Sequence, residues 1–471
     1  MAFILAGCGA GADPMGNQPV YTSTSGRDGM LDEASIEYET PGSVPSIIVD
    51  LVGYDRDAEK KAIINAEEIP DSFTIKDVYS GETVYIGKVK EVESDQGIVG
   101  IADFTEFDTE GEYQMEAPLI GSSKYFAVRS GVYDELMATA FAKLERLRCS
   151  SVSNGYCHNR DVPLESSSDT VLDVRGGWHT AKGGERDVVT GCMAVYDLIT
   201  AYEYHPSSFT DKMGIPESGN KIPDILDEAI FELDWLFKMQ NPETGGVYSA
   251  ITARDSGLVI EAEATRATVY FCVVMTHFSY VIKKFDSKYS GKCLNAAVKA
   301  WKCLDANKEL VSTEQMYRAA VELYKATGQA VYRNAVEDYL KDNAGKDLEN
   351  RAVIDAAITH MSTSRATDMS ECEKLMERFM ARTHSKVASA RTNAFFVEST
   401  DMTAEELLRN MEELVIVDYI ISSVEYQKIE ENYLHYLCGR NPESEIMLDF
   451  EYDPDGYAML LVLLGRLNDR R

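Results

Sequence analysis

Residues 215–229 decide the fold, and they read Ile215-Pro216-Glu217-Ser218-Gly219-Asn220-Lys221-Ile222-Pro223-Asp224-Ile225-Leu226-Asp227-Glu228-Ala229. The two prolines place the first part of the stretch in a loop, because proline interrupts helical patterns. From Ile225 to Met239 apolar residues recur with the helical period, which predicts an amphipathic helix. Asp224, Asp227 and Glu228 stand at its start, where we expect them to cap the helix and complement its dipole rather than act on a ligand.

The helical period continues through residues 131–471. Amphipathic stripes occupy Val188–Tyr204, Ile225–Met239, Ala262–Phe285, Leu294–Leu304, Gln315–Thr327, Ala330–Leu340 and Ala404–Ser422. Prolines and the Gly245-Gly246 pair mark the loops between them. Because a helical body of this size is too large for one bundle, the pattern predicts a toroid or solenoid of helical hairpins.

The preceding residues, 46–130, have a β pattern. Short apolar runs stand at Ile47–Val49, Lys61–Ile64, Ser72–Ile75, Val84–Ile86 and Tyr125–Val128. Turns rich in glycine, aspartate and serine separate these runs, which is typical of a small all-β sandwich. The sequence therefore predicts a mainly α protein in which a sandwich precedes a body of helical hairpins.

The chain of 471 residues carries 46 Lys+Arg against 78 Asp+Glu, a formal net charge of −32. This acid excess argues against nucleic acid, an anionic membrane surface or an acidic polysaccharide as a partner, because the charge of the chain would repel them. Hydrophobic residues make up 45% and charged residues 26%, which is ordinary for a globular protein and excludes wholesale disorder. Neutral ligands are compatible with this charge.

The N-terminus resembles a bacterial lipoprotein signal. An apolar run ends in Leu5-Ala6-Gly7-Cys8, as in a lipobox, whose cysteine is lipidated. The run is shorter than the roughly 7–15 apolar residues of a signal peptide, so we interpret residues 1–8 as the remainder of a truncated signal. Residues 9–45 are rich in Gly, Ser, Thr, Asp and Pro, as a flexible tether would be. We therefore expect a lipid anchor on the extracellular face of a bacterial membrane as the only membrane contact; a chance apolar start is the alternative.

The other eight cysteines are scattered, without the Cys-x-x-Cys or Cys/His spacing of a zinc site. Four of them lie within apolar helical patterns, namely Cys192, Cys272, Cys293 and Cys303. This placement favours buried free thiols. A disulfide between Cys149 and Cys157 stays open.

Several strings of the sequence resemble glycoside hydrolase family 9. They are Asp173-Val174-Arg175-Gly176-Gly177-Trp178-His179, residues 215–229, Glu232–Gln240, Gly246–Tyr248, Glu322–Gly328 and Leu434–Pro442. In the β region, Val52-Gly53-Tyr54, Ala102-Asp103-Phe104 and Gly111-Glu112-Tyr113 resemble the immunoglobulin-like domain that precedes many family members. The resemblance implies an (α/α)6 barrel of helical hairpins at residues 131–471, preceded by an immunoglobulin-like β-sandwich at residues 46–130.

The resemblance also implies inverting hydrolysis of β-1,4-glucans, in which one carboxylate activates water and a second protonates the leaving oxygen. The family carries two aspartates directly after the Trp-His, as D-A-G-D-Y, and the second is the general base. This chain reads Thr180-Ala181-Lys182-Gly183-Gly184 instead, so both aspartates are replaced. Glu185 and Asp187 lie just beyond this string and could supply a displaced base; alternatively, they belong to a solvated loop.

The segment that carries sugar-binding residues and the catalytic acid in the family is shortened here. When Ala458 is set against the alanine of the family's N-E-x-x-x-x-x-N-A string, Glu451 falls in the register of the acid, although Phe450 replaces the preceding asparagine. Six of the thirteen residues from Glu443 to Asp455 are acidic. Glu451 is therefore either a retained acid or a surface residue.

Three more residues match the family and could contact substrate. Trp178 and His179 could line a sugar-binding cleft, because tryptophan stacks on pyranose rings and neutral histidine binds hydroxyl groups; the alternative is core packing and support of the loop. Arg440 follows a helix end, where it suits a turn as well as a sugar subsite. We expect no cofactor and no metal site. Some family members bind Ca²⁺, but the sequence has no loop with EF-hand ligand spacing.

We therefore expect a surface lipoprotein of cellulose-type glucan metabolism, with a degenerate catalytic site, that binds or scaffolds a neutral β-glucan or cello-oligosaccharide. The rival hypothesis is an active inverting endo-β-1,4-glucanase, with Glu185 or Asp187 as base and Glu451 as acid. A third hypothesis is a module for protein–protein contacts in the cell envelope.

Overall fold

A computed structural model describes residues 44–94, 97–149, 161–348, 350–421 and 423–469. The predicted signal with Cys8, the predicted tether up to residue 43, and Cys157 lie outside these residues. The predictions that concern them stay predictions.

Eight strands form a sandwich ahead of the helices. They are β1 (Ile47–Ile48), β2 (Tyr54–Asp55), β3 (Lys61–Ile64), β4 (Ser72–Asp77), β5 (Thr83–Ser94), β6 (Gly97–Asp103), β7 (Gly111–Ala117) and β8 (Gly121–Arg129). The strands pair in the order β1-β3-β6-β5-β4-β7-β8-β2. The first half of β5 pairs with β4 and its second half with β6, so this long strand passes from one sheet of the sandwich to the other. Tyr54, Phe73, Tyr113 and Phe126 fill the core between the sheets.

Twelve α-helices follow within the described residues. They are α1 (Val132–Arg146), α2 (Val188–Tyr204), α3 (Asp224–Met239), α4 (Thr265–Ile282), α5 (Ser287–Ala306), α6 (Thr313–Thr327), α7 (Ala330–Asn343), α8 (Arg351–Ser362), α9 (Met369–Thr392), α10 (Ala404–Ile421), α11 (Val424–Leu437) and α12 (Pro454–Asn468). Over the described ranges, none of these helices combines the length and apolar character that crossing a membrane requires.

The even-numbered helices form the inner ring of a barrel, and the odd-numbered helices pack around it. α2 contacts α4, α4 contacts α6, α6 contacts α8, and α12 closes the ring by packing on both α10 and α2. An ion pair between Arg351 of α8 and Glu412 of α10 joins the remaining two inner helices. α12 is buried along its length from Pro454 to Leu467, as expected for a helix surrounded on all sides. The predicted (α/α)6 barrel preceded by a β-sandwich is confirmed.

A second, smaller sheet covers one end of the barrel. Its strands are β9 (Asp161–Leu164), β10 (Ser167–Asp173), β11 (Arg186–Asp187), β12 (Ala250–Arg254) and β13 (Gly257–Ile260), in the order β10-β9-β13-β12-β11. β11 leads directly into α2, and β13 precedes α4 by a short loop. This sheet therefore lies at the end of the barrel where these inner helices begin, which we call the mouth.

The sandwich rests on the barrel through a buried polar contact. Oδ2 of Asp50 lies 2.8 Å from Nδ1 of His435 in α11, and Oδ1 accepts hydrogen bonds from the backbone N–H groups of Val52 and Gly53 at 2.8 Å each. The N–H of Leu51 donates to the carbonyl oxygen of Cys438 at 2.8 Å. The buried carboxylate thus has a partner where the sandwich meets the barrel.

The described cysteines are free thiols. Cys192, Cys272 and Cys293 are buried, as their helical patterns predict, and Cys303 is partly exposed. Cys149 is also buried, and a disulfide with Cys157, which lies outside the described residues, stays open.

Candidate active site

Trp178 and His179 are enclosed at the mouth rather than open to it. The indole N–H of Trp178 donates to Glu228 Oε1 at 3.0 Å, and its backbone N–H donates to Glu232 Oε2 at 2.7 Å. Trp178 is 1% exposed and His179 is 8% exposed. Stacking on a sugar needs an open ring face. Burial against α3 removes that face, so the structure contradicts the prediction that these two side chains line a cleft.

Arg148 binds two glutamates from the stretch that decides the fold. Its guanidinium donates to both carboxylate oxygens of Glu228, at 3.0 and 2.7 Å, and to Glu217 at 3.0 Å. The residue also forms an antiparallel backbone bridge with Trp178. The segment after α1, the loop before α3 and the start of α3 therefore meet at one guanidinium.

The acids at the start of α3 support loops and do not cap the helix. The N-cap residue is Pro223, without a side-chain capping bond. Asp224 accepts instead from the backbone N–H of Met213 at 2.5 Å and from the hydroxyl of Ser218 at 2.6 Å. Glu228 accepts the hydrogen bonds from the Arg148 guanidinium. The capping prediction is therefore wrong, while the acids of the first turn still complement the helix dipole.

The carboxylate of Glu185 lies over Gly183. The backbone N–H of Thr180 donates to the carbonyl oxygen of Glu185 at 2.9 Å, which closes the loop. A Cβ placed on Gly183 would lie 2.7 Å from Oε2 and 3.0 Å from Oε1 of Glu185. Oε2 is buried and has no hydrogen-bond partner within the described ranges. Glu185 therefore fills the space where a side chain at position 183 would begin.

Asp187 caps the start of α2. It is the N-cap residue, and Oδ1 accepts from the backbone N–H of Thr190 at 2.8 Å and from its hydroxyl at 3.0 Å. A cavity of about 450 Å³ opens beside it, and its lining includes Thr190, Ser249 and Arg266. The remaining lining includes the apolar residues Val189, Met193, Ala264 and Ala267. A mostly apolar wall with a few polar groups at the mouth suits a neutral ligand.

Glu451 is exposed in the turn before α12. Two residues earlier, Asp449 pairs with Lys143 in the last turn of α1, with an N···O distance of 2.9 Å. Because α1 leads directly to Arg148 at the mouth, Glu451 lies at the same end of the barrel as the Thr180–Glu185 loop. Its role as the acid stays a prediction.

Arg440 lies far inside the protein, with an exposure of 0%. Its Nη2 donates to Oδ1 of Asn432 at 2.6 Å, and its guanidinium lies 5.4 Å from the ring centre of Phe396. A side chain enclosed in this way cannot reach a glucan, so the predicted substrate contact is wrong and the alternative, support of the turn after α11, fits.

Ion pairs between the inner helices are a feature that the sequence analysis missed. Arg318 of α6 donates to Asp355 of α8 at 2.7 Å, and Arg351 pairs with Asp197 of α2 and with Glu412, the latter at 2.9 Å. A cavity of about 200 Å³ lies against this cluster. Asp197 and Arg318 interrupt predicted apolar stripes, and this is the signal in the sequence that could have identified them.

Three carboxylates at the start of α3 could hold a cation. Asp211, Asp224 and Asp227 each offer an oxygen, and these oxygens lie within 4.8 Å of one another. Asp224 Oδ1 and Asp227 Oδ2 are buried without a hydrogen-bond partner within the described ranges. Burial and the neighbouring carboxylates of Glu217, Asp224 and Asp211 raise the pKa of Asp227 to about 6. Oxygen ligands of this kind suit Ca²⁺.

Two family models match the sequence. The model described as Glycosyl hydrolase family 9 matches residues 125–448. The model described as Cellulase N-terminal ig-like domain matches residues 43–122. Together they cover the sandwich and most of the barrel.

Named relatives and a solved structure agree with these matches. Endoglucanase D of Acetivibrio thermocellus is 28% identical over 344 residues, which cover 64% of this chain and 53% of that protein. The chain thus spans about half the length of this curated relative. A cellodextrinase of Butyrivibrio fibrisolvens is 25% identical over 466 residues, 84% of this chain and 83% of that protein. A structure described as Bacteroides ovatus GH9 has the same fold, with a TM-score of 0.77 at 19% identity, over 90% of this chain and 99% of that chain.

Stability is expected to fall with rising pH because of Glu232. Burial raises the pKa of Glu232 from 4.5 to about 8, against the opposing effects of the Trp178 N–H and Arg186. The folded state therefore keeps a proton that the unfolded chain loses near pH 4.5, so stability is complete below that pH and declines as pH rises through 8. Glu232→Gln should flatten the decline in Tm between pH 5 and 9. The exposed Glu309→Gln should keep the slope of the wild type, and an unchanged slope in Glu232→Gln would contradict the assignment.

Calcium is expected to stabilise the protein through the three aspartates. A ligand that binds only the folded state raises Tm with its concentration. Calcium chloride should raise the Tm of the wild type, chelation should reverse the rise, and Asp227→Asn should abolish it. Asp255→Asn, an exposed residue, is the control that should keep the rise. An equal rise in Asp227→Asn, or none in the wild type, would contradict the prediction.

Proposed function

The chain belongs to glycosyl hydrolase family 9, and we propose that it binds a neutral β-1,4-linked glucan or cello-oligosaccharide at the mouth of its barrel and hydrolyses it only slowly. Its role is then glucan binding or scaffolding with a degenerate catalytic site. The replacement of the family's two aspartates by Thr180 and Gly183 is the observation that carries this proposal.

Neither replacement can act as the base of an inverting hydrolase. The hydroxyl of Thr180 is not ionised near neutral pH, and Gly183 has no side chain. The inverting reaction needs a carboxylate that activates water on the face of the sugar opposite the leaving group. Loss of a positioned base typically costs ~10²–10⁴-fold in rate, so slow turnover is the expected result.

The substrate class is supported by three observations. The relatives are named endoglucanase and cellodextrinase, and another is named a xyloglucan-specific endo-beta-1,4-glucanase. The net charge of −32 disfavours an acidic polysaccharide. The cavity beside Asp187 opens at the mouth, and its lining combines the hydroxyl residues Thr190 and Ser249 with apolar side chains. A neutral β-1,4-glucan satisfies all three.

A second candidate function is an active inverting endo-β-1,4-glucanase with a displaced base. The carboxylate of Glu185 over Gly183 favours it. Glu451 would then act as the acid from the turn before α12. The two candidates share the binding site and differ in the rate of hydrolysis.

Binding and turnover should separate the candidates. Calorimetry with cellohexaose is expected to detect binding to the full chain. Release of reducing sugar from neutral mixed-linkage glucan is expected to be ~10²–10⁴-fold slower than for a family enzyme with both aspartates. Turnover at the rate of such an enzyme would favour the second candidate. If neither binding nor turnover is detected, both candidates are rejected. A module for protein–protein contacts in the envelope is then the remaining hypothesis.

We also propose that Cys8 is lipidated and anchors the protein on the extracellular face of a bacterial membrane. The Leu5-Ala6-Gly7-Cys8 string and the composition of residues 9–45 support this. A labelled fatty acid should be incorporated when the protein is expressed from its own gene, and Cys8→Ala should abolish the label. Cys372→Ala, a partly exposed cysteine, is the matched control. Label retained in Cys8→Ala would refute the anchor.

A further inference from the structure

We propose that Glu185 supplies the general base for the residual hydrolysis, in place of the carboxylate that position 183 lacks. This inference rests on the proposed function, because it needs a glucan bound at the mouth. It names one residue where the sequence left Glu185 and Asp187 as alternatives.

The loop geometry brings the side chain of Glu185 back over position 183. The hydrogen bond from the Thr180 N–H to the Glu185 carbonyl oxygen folds the six residues into a closed loop. Both carboxylate oxygens then lie within 3.0 Å of the position that a Cβ on Gly183 would take. A carboxylate reaches this volume from residue 185 because glutamate is one methylene longer than aspartate.

The backbone at position 183 does not require glycine, and the Glu185 carboxylate occupies the space that a side chain there would take. Gly184 has a φ of 93°, in the region that favours glycine, whereas Gly183 is not among the glycines with positive φ. Any residue could therefore adopt the backbone at 183, but its side chain would meet the carboxylate of Glu185. A side chain at position 183 would displace the Glu185 carboxylate, the end of a flexible side chain, from the place it now occupies.

Within the part of the chain that the structure describes, one carboxylate oxygen of Glu185 is not held by a hydrogen bond. Its Oε2 accepts no hydrogen bond within the described ranges. Asp187, by contrast, uses Oδ1 to cap α2. Glu185 is partly exposed as a residue, and Lys182 and Gly183 beside it are exposed, so water reaches this loop although Oε2 itself is buried. Of the two candidates, Glu185 is the one with an uncommitted oxygen over position 183.

The step follows the inverting scheme of the family. The oxygen of a water molecule forms a bond to the anomeric carbon, and Glu185 takes the proton of that water. The bond between the anomeric carbon and the glycosidic oxygen breaks at the same time. The leaving oxygen receives a proton from the acid, for which Glu451 is the candidate. The product is a reducing end of inverted, α configuration.

The test is the Glu185→Gln variant of the full chain with cellohexaose. The residual hydrolysis should fall ~10²-fold or more, while the Kd from calorimetry stays that of the wild type. A merely structural role would change binding and Tm together with the rate. Glu106→Gln, an exposed residue of the sandwich, is the control for the loss of one carboxylate.

A double variant that moves the carboxylate tests whether Glu185 takes the role of a carboxylate at position 183 or only lies near that position. Gly183→Asp combined with Glu185→Ala moves the carboxylate back to position 183 and removes the steric conflict. This double variant should hydrolyse cellohexaose at least as fast as the wild type, and NMR should detect the α anomer as the first product. Glu185→Ala alone should be inactive but should still bind.

The outcomes separate this inference from the proposed function. Absence of binding in the wild type would reject the proposed function. Binding without any hydrolysis in the wild type, or hydrolysis that Glu185→Gln leaves unchanged, would overturn the role of Glu185 and leave glucan binding intact. Loss of hydrolysis in Asp187→Asn but not in Glu185→Gln would overturn it as well.

Discussion

The buried ion pair between Arg148 and Glu228 fixes the geometry of the mouth. The two side chains are 4% and 0% exposed, and breaking such a pair typically costs about 3–5 kcal/mol because a charge is left buried. Glu228 also accepts the indole N–H of Trp178, and Arg148 also binds Glu217. Three segments that are distant in the chain are thereby held together. The Thr180–Glu185 loop follows Trp178 and His179, so this contact anchors the start of the loop.

Most carboxylates around the mouth are already engaged in holding the structure together. Glu228 binds Arg148, Asp224 supports the loop before α3, and Asp187 caps α2. The acid excess of the chain therefore says little about catalysis, since a carboxylate held by several hydrogen bonds is not free to approach a substrate. Glu185 differs because Oε2 is uncommitted and lies over an exposed glycine.

Much of the fold could be predicted because its signals are local. Periods of two and of 3.6 residues separate the sandwich from the helices, and the predicted bounds of α2 are the observed ones. The strands β9 to β13 were not predicted because they are short and β10 is mostly exposed. α9 was not predicted either, since its buried apolar residues are few for its length: Leu375, Phe379, Val387 and Ala390.

The sequence by itself determined the family resemblance, and from that resemblance came the expectation that Thr180 and Gly183 stand where the family has aspartates. Only the tertiary structure decided that Trp178, His179 and Arg440 are buried and that the Glu185 carboxylate covers Gly183. Burial and side-chain distances depend on contacts between residues far apart in the chain. Trp178 and Glu228, for example, are 50 positions apart and 3.0 Å from each other at Nε1 and Oε1. No local pattern encodes such a contact, since the packing of α3 against the loop creates it.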